Sequence, residues 1–388
     1  MKPYSAGNLL LAFYLLAPPA AFGLVWTQTS APTNGWQAIA CSADGMKVVA
    51  VTGGVANSGA IYTSTNAGAS WMSNSAPIAH WVSVASSADG TRLAAAASGN
   101  GIFTSTNSGA TWTSNNVPHQ NWTSLVSSAD GNSLAAVFFT SRIYYTTNSW
   151  SSWMSNTVTV ADVRSLASSA DGNRLIAGNN IGWILTKTNM GTDWTAVIQL
   201  SGDITTVASS ADGKKLTAAV GVNGGPIYTS TNSGQTWLRR TNAPTAAWIS
   251  VASSADGTKL VASGALNGGL IYNSEDSGTT WKSNSLPKVQ WQSVASSADG
   301  GKVYAAVGVG GIWTAQTVVP PALNLAVQNQ SLALSWVVSS TNYVVQQSSD
   351  LENWAAVTNP PTVNLNNVEN GVTLTPSGSS AFYRLASP

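Results

Sequence analysis

One tetrapeptide, Ser-Ala-Asp-Gly, occurs seven times, beginning at Ser42, Ser87, Ser128, Ser169, Ser210, Ser254 and Ser297. Successive copies lie 45, 41, 41, 41, 44 and 43 residues apart. A period of this size marks a repeat architecture in which each unit buries its apolar face against its neighbours. A large apolar residue stands six positions before each copy: Trp36, Trp81, Trp122, Val163, Ile204, Trp248 and Trp291. A strand-like stretch follows each copy, as in Leu93-Ala94-Ala95-Ala96. A Gly/Asn-rich turn and a further strand come next, as in Ile102-Phe103-Thr104.

A second motif closes the unit. Ser-Thr-Asn-Ser-Gly-Ala-Thr-Trp at Ser105–Trp112 returns with small changes at Ser64–Trp71, Ser230–Trp237 and Ser274–Trp281. Two copies are degenerate, with Trp150 in the Gly position and Lys187 in the Ser position. Ser and Asn side chains bond a tight turn, Gly supplies positive φ, and Trp packs beneath. The motif resembles the Asp-box (BNR) repeat, mostly with Asn for Asp. Each unit then holds four short strands, which is one propeller blade. The first strand is expected before Ser-Ala-Asp-Gly, the second after it, the third before the box and the fourth at the box Trp.

The seventh unit stops after Ile312-Trp313-Thr314 with no box. Trp26 precedes Trp36 by ten residues, as Trp71 precedes Trp81 and Trp112 precedes Trp122. Trp26 is therefore expected in the missing fourth strand, closing the ring from the N-terminus and leaving no open sheet edge. The predicted fold is all-β, a seven-bladed β-propeller over residues 24–317. It is similar to the WD40/YVTN/BNR-like group, which includes sialidases, sortilin-type receptors and photosystem II assembly-factor-like propellers.

The flanks read differently. Lys2, the apolar run Leu9 to Ala17, Pro18-Pro19 and Ala21-Phe22-Gly23 form the pattern of a secretory signal peptide over 1–23, cleaved near Gly23. The competing reading is an uncleaved anchor. No later segment is long and apolar enough to span a membrane. The expected location is thus secreted or cell-surface. Val318-Val319-Pro320-Pro321 reads as a linker, and 318–388 as linker plus a small β domain that resembles fibronectin-III-like C-terminal modules.

Charge narrows the function classes. The chain carries 16 basic and 15 acidic side chains in 388 residues. That balance offers no electrostatic grip on nucleic acid. One cysteine excludes an intrachain disulfide and a multi-cysteine zinc site. Seven Asp belong to the tetrapeptide, where Asp before Gly is expected to cap a turn rather than ligate calcium. Lys47, Arg92, Arg174, Lys215, Lys259 and Lys302 share one position, two residues after the Gly, and are expected to be solvated. Cys41 takes a place that is Ser in the other units and is expected to be a small buried thiol. His80 and His119 lack the further ligands of a metal site. No metal or other cofactor is expected.

What remains inside the repeats is sparse. Sialidase-like catalysis, as that resemblance implies it, needs an arginine triad, a Tyr–Glu nucleophile pair and an acid/base Asp. No free Glu is left to serve, and the arginine motif is not evident. Asp162 and Asp203 occupy equivalent positions just before the first strand of units four and five. Those units alone lack Trp at the next position. Arg164 follows Asp162 by two residues, the same side of a strand. Arg142 and Trp183 align with each other at the end of the loop between second and third strands, on the same face. Arg142, Asp162, Arg164, Trp183 and Asp203 are therefore the candidate ligand-binding residues, with no catalytic residue assigned. The competing reading is an Asp162–Arg164 surface ion pair beside a repacked Trp183.

The functional expectation is a secreted, non-enzymatic propeller that binds a protein or glycan through this loop face. One alternative is a glycoside hydrolase or lyase using Asp162 and Asp203. Another is a structural cell-surface module.

Overall fold

The computed structural model describes residues 24–317 apart from 54–58, 140–141, 159, 161, 189–193, 222–223 and 266–268. It also describes 323–386 apart from 329–330, 339–342, 350–352 and 375–381. The expected signal peptide and linker lie outside the described residues. No described helix is long and apolar enough to cross a membrane.

Seven four-stranded antiparallel sheets follow the seven sequence units. Their inner strands are Trp36–Cys41, Trp81–Ser86, Trp122–Ser127, Val163–Ser168, Ile204–Ser209, Trp248–Ser253 and Trp291–Ser296. Each packs against the inner strands on either side, so the ring closes from the seventh back to the first. Val25–Gln28 completes the seventh sheet, with Trp26 opposite Ala315. The expected closure by the N-terminal strand is what the chain does. One detail differs: the fourth strands of blades one to six begin just after the box Trp, as at Met72–Ser73, Thr113–Ser114 and Thr195–Gln199.

The core lies between blades rather than within them. Each of seven buried apolar clusters straddles two neighbouring sheets. The inner-strand Trp residues of blades one, two, three, six and seven are fully buried. Three reach back with the indole N–H to the preceding blade: Trp36 to the Gly310 carbonyl, Trp122 to Asn100 and Trp248 to Gly225. Blades four and five carry Val163 and Ile204 there, so no such indole ties down the turns of blades three and four.

Two rings of hydrogen bonds join the blades. In the first, each tetrapeptide alanine N–H donates to the next blade's alanine carbonyl, from Ala43 to Ala88 and onward until Ala298 donates to Ala43, all at 2.7–2.8 Å. In the second, a Ser or Thr hydroxyl on one inner strand accepts a backbone N–H from the next. Leu125 donates to Ser83, Leu166 to Ser124, Val207 to Ser165, Val251 to Thr206, Val294 to Ser250 and Ile39 to Ser293, at 3.0–3.2 Å. The seventh place holds Ala38, which offers Val84 no hydroxyl.

The repeated turns explain their own residues. In all seven, the Ser hydroxyl donates to the Asp carboxylate, as from Ser128 to Asp130 at 2.5 Å. The same carboxylate accepts a backbone N–H two residues on, as from Asn132 at 2.9 Å. The Asp side chains therefore cap turns. Each turn Gly has positive φ, as at Gly131 with 70°. The basic side chains two residues later are not solvated as expected. Their aliphatic stems lie against the neighbouring blade's turn Gly, and a Cβ on Gly131 would sit 2.6 Å from that of Arg92. Long stems cover apolar surface while their charged heads keep contact with water. Lys302 is the extreme case and is buried. Lys187, in the degenerate box of blade four, is also buried and lies 3.9 Å from the Tyr145 ring centre in blade three. A cation over a ring takes the place of the usual seryl hydroxyl there.

Beyond the ring, Asn324–Gln328, Ser331–Val337, Glu369–Leu374 and Thr362–Asn364 form one sheet. Ala355–Ala356, Val344–Ser348 and Phe382–Ala386 form a second. They share a core of Leu332, Leu334, Trp336, Val345, Val372 and Leu374.

Candidate functional site

In antiparallel blades, the loops entering the first and third strands open on one face, opposite the Ser-Ala-Asp-Gly turns. The candidate residues stand on that loop face, but their partners differ from the expected ones. Arg164 does not pair with Asp162. Its Nη1 donates to Asp203 Oδ2 of the next blade at 2.8 Å. Asp162 has φ of 56° and precedes the strand, so strand alternation does not govern its side chain. Its Oδ2 instead accepts from Asn180 Nδ2 at 2.9 Å.

The Arg164–Asp203 pair is sheltered on one side only. Side-chain exposure is 37% for Arg164 and 10% for Asp203. Burial pushes the Asp203 carboxyl above its usual range, and the Arg164 guanidinium offsets part of that rise. Asp203 Oδ1 and Arg164 Nε are buried without a hydrogen-bond partner among the described residues. The guanidinium also faces the Phe139 ring of blade three, 5.9 Å from its centre. Phe139, Arg164 and Asp203 thus form one continuous line across blades three, four and five.

Apolar side chains flank this line. Phe139 is 53% exposed and Ile181, in the equivalent turn of blade four, is 57% exposed. Neither is among the sequence candidates. Phe139 occupies a loop position that is Gly, Ser, Asn or Ala in the other blades, and that contrast is the available signal, whereas Ile181 aligns with Val309 of blade seven and does not stand out. Trp183 is half-buried, packed against the cluster that includes Val158 and Val163. Its backbone N–H donates to Asn179 Oδ1 at 2.7 Å, which fixes the turn carrying Ile181. Arg142 is exposed at the head of Arg142–Thr146, opposite Thr157. The structure therefore brings Arg164 and Asp203 into contact and sets Asp162 on a separate bond to Asn180.

Among the described residues, no group of three or more His, Cys, Asp or Glu side chains could hold a metal ion. Cys41 is half-buried in the channel wall, more exposed than expected. Burial, with Asp44 and Asp299 nearby, pushes its thiol up to about 12, far from the range of an activated nucleophile.

No protein-family model matches the chain, and no curated protein matches it. Solved structures do. YCF48 from Cyanidioschyzon merolae is similar at 17% identity and TM-score 0.58, over 75% of this chain and 98% of that one. A structure described as YCF48 bound to D1 peptide is similar at 17% identity and TM-score 0.56, over 80% of this chain and all of that one. The Cps50 (Swd1) β-propeller domain of Myceliophteria thermophila is similar at 13% identity and TM-score 0.60, over 74% and 99%. The chain has a β-propeller fold. At these identities the likeness is one of fold, and function has to be argued from the site.

Proposed function

We propose that this chain is an exported, non-enzymatic β-propeller that binds a protein partner through the loop face of blades three to five. The carrying observation is the line Phe139–Arg164–Asp203 with Ile181 and Trp183 beside it. Exposed aromatic and aliphatic side chains around a sheltered ion pair suit a peptide segment with an apolar side chain and a nearby N–H or cationic donor. A structural neighbour described as YCF48 bound to D1 peptide supports a peptide ligand for a propeller of this kind. The residues 1–23 supply the leader for export. Asp203 is ion-paired and Asp162 is bonded to Asn180, which favours recognition over a two-carboxylate hydrolase.

The test is panning of a random dodecapeptide library against the mature chain, with a glycan array in parallel. Enriched peptides should bind Phe139→Ala and Arg164→Ala variants at least about tenfold more weakly. Equal binding to wild type and variants, or retention of glycans alone, would overturn the proposal.

A further inference from the structure

The central channel has a second mouth, on the face of the Ser-Ala-Asp-Gly turns. There the alanine ring and the adjoining Ser side chains line an open depression of about 180 Å³. A side chain from the C-terminal sheets reaches into it. Val368, 8% exposed, packs with Ala43 and Ala170, and the remaining ring alanines and Val338 adjoin the same cluster.

Val368 ends the four-residue turn 365–368 between Thr362–Asn364 and Glu369–Leu374. Its φ is 57°. Gly and Asn take that left-handed conformation readily, whereas a β-branched side chain is a true outlier in it. Asn366 and Asn367 stand immediately before it, so the turn has residues suited to the conformation and yet places Val there. Such strain persists only where the surroundings compensate for it. The Val368 carbonyl accepts from the N–H of Val338, just past the neighbouring strand Ser331–Val337, at 3.0 Å. Its isopropyl group is buried by the ring.

We infer that the alanine ring is a socket for one branched aliphatic side chain, and that Val368 is its resident plug. The plug holds the C-terminal sandwich over this mouth of the channel and leaves the loop face as the open one. The fit is chemical as well as spatial. Seven methyl groups line the rim, and the alanine N–H and C=O groups are already spent on one another. The alanine backbone leaves a polar tip no free partner at the rim, only the Ser side chains that adjoin it, whereas an aliphatic tip needs none.

Two variants of the full mature chain test this from opposite sides. Val368→Gly removes the plug and relieves the turn. Ala211→Glu places a charge in the socket and leaves the hairpin untouched. Both should keep the near-ultraviolet signal of the folded chain. Both should increase the maximum dimension in small-angle X-ray scattering and alkylate Cys41, which lines the same depression, several-fold faster. If Val368 were only a turn residue, Val368→Gly would stabilise the chain, and scattering and Cys41 labelling would match wild type in both variants. That result would overturn the inference.

Discussion

Six of seven inner-strand junctions are tied by a hydroxyl that accepts a neighbouring backbone N–H, and the one from Val84 faces Ala38. Ala38→Ser should complete this belt. The position is half-buried at the edge of the apolar cluster between blades one and two, where one added oxygen is a small increase in volume. The other six bonds measure 3.0–3.2 Å, and the repeat places the introduced hydroxyl in the same register. A net hydrogen bond of this kind contributes about 0.5–1.5 kcal/mol. With an unfolding entropy of about 2 cal/mol/K per residue over roughly 290 residues, a gain of about 1 kcal/mol raises Tm by about 2 °C. Differential scanning calorimetry resolves that shift. The mirror variant, Ser250→Ala, strands the Val294 N–H and should cost about 1–3 kcal/mol. Hydrogen exchange of the Val84 amide reads the new bond directly and should slow only in Ala38→Ser. A neutral or lower Tm together with unchanged Val84 exchange would refute the reasoning, because the N–H would then have a partner already.

Further outcomes follow from other features. Gly182 has φ of 89°, and a Cβ there would lie 2.1 Å from the Leu200 carbonyl oxygen. Gly182→Ala should therefore cost at least about 1–3 kcal/mol in thermal unfolding and weaken peptide capture beside Ile181. With its thiol pushed up to about 12, Cys41 should react with iodoacetamide at pH 8 about a thousandfold more slowly than a free cysteine. A rate within tenfold of glutathione would contradict that assignment. Burial opposes ionisation of Asp89, Asp130, Asp171, Asp212 and Asp256, but hydrogen bonds from Ser and backbone N–H groups outweigh it and hold these carboxyls below their usual range. Their stabilisation is present above the unfolded carboxyl value of about 3.9 and is lost as pH falls through the depressed folded values. Asp203, raised by burial, works in the opposite sense and loses its contribution as pH rises through its own value. Since the lowered groups outnumber it, Tm should drop steeply below about pH 4, and Asp256→Asn should flatten that profile.

The blades are legible in the sequence because each repeats a turn whose Ser, Asp and Gly have one structural use. Closure by Trp26 is legible from a ten-residue spacing alone. The site is legible in part. Arg164 and Asp203 stand out as charges in positions that are uncharged in most other blades. Their pairing is not legible, because Asp162 sits at positive φ and the inner strand carries a register shift between Val163 and Ser165. Alternation along one strand therefore misleads, and the contact runs between blades instead. Phe139 escapes notice when turns are compared for length rather than for apolar exceptions, and Ile181 shares its position with Val309 of blade seven. Nothing local to Asn367 and Val368 announces a contact with seven alanines far away in the chain.

The alanine ring has an electrostatic consequence. Every N–H points to the next blade in the same rotational sense. Amides aligned along a helix add their dipoles and leave partial charges at two ends. Bent into a closed loop, the same head-to-tail order has no ends, so the in-plane dipoles cancel while each bond still polarises the next. The turn-face mouth is thus a circulating current of hydrogen bonds with no pole to attract an ion, and a neutral side chain is the natural thing to find in it.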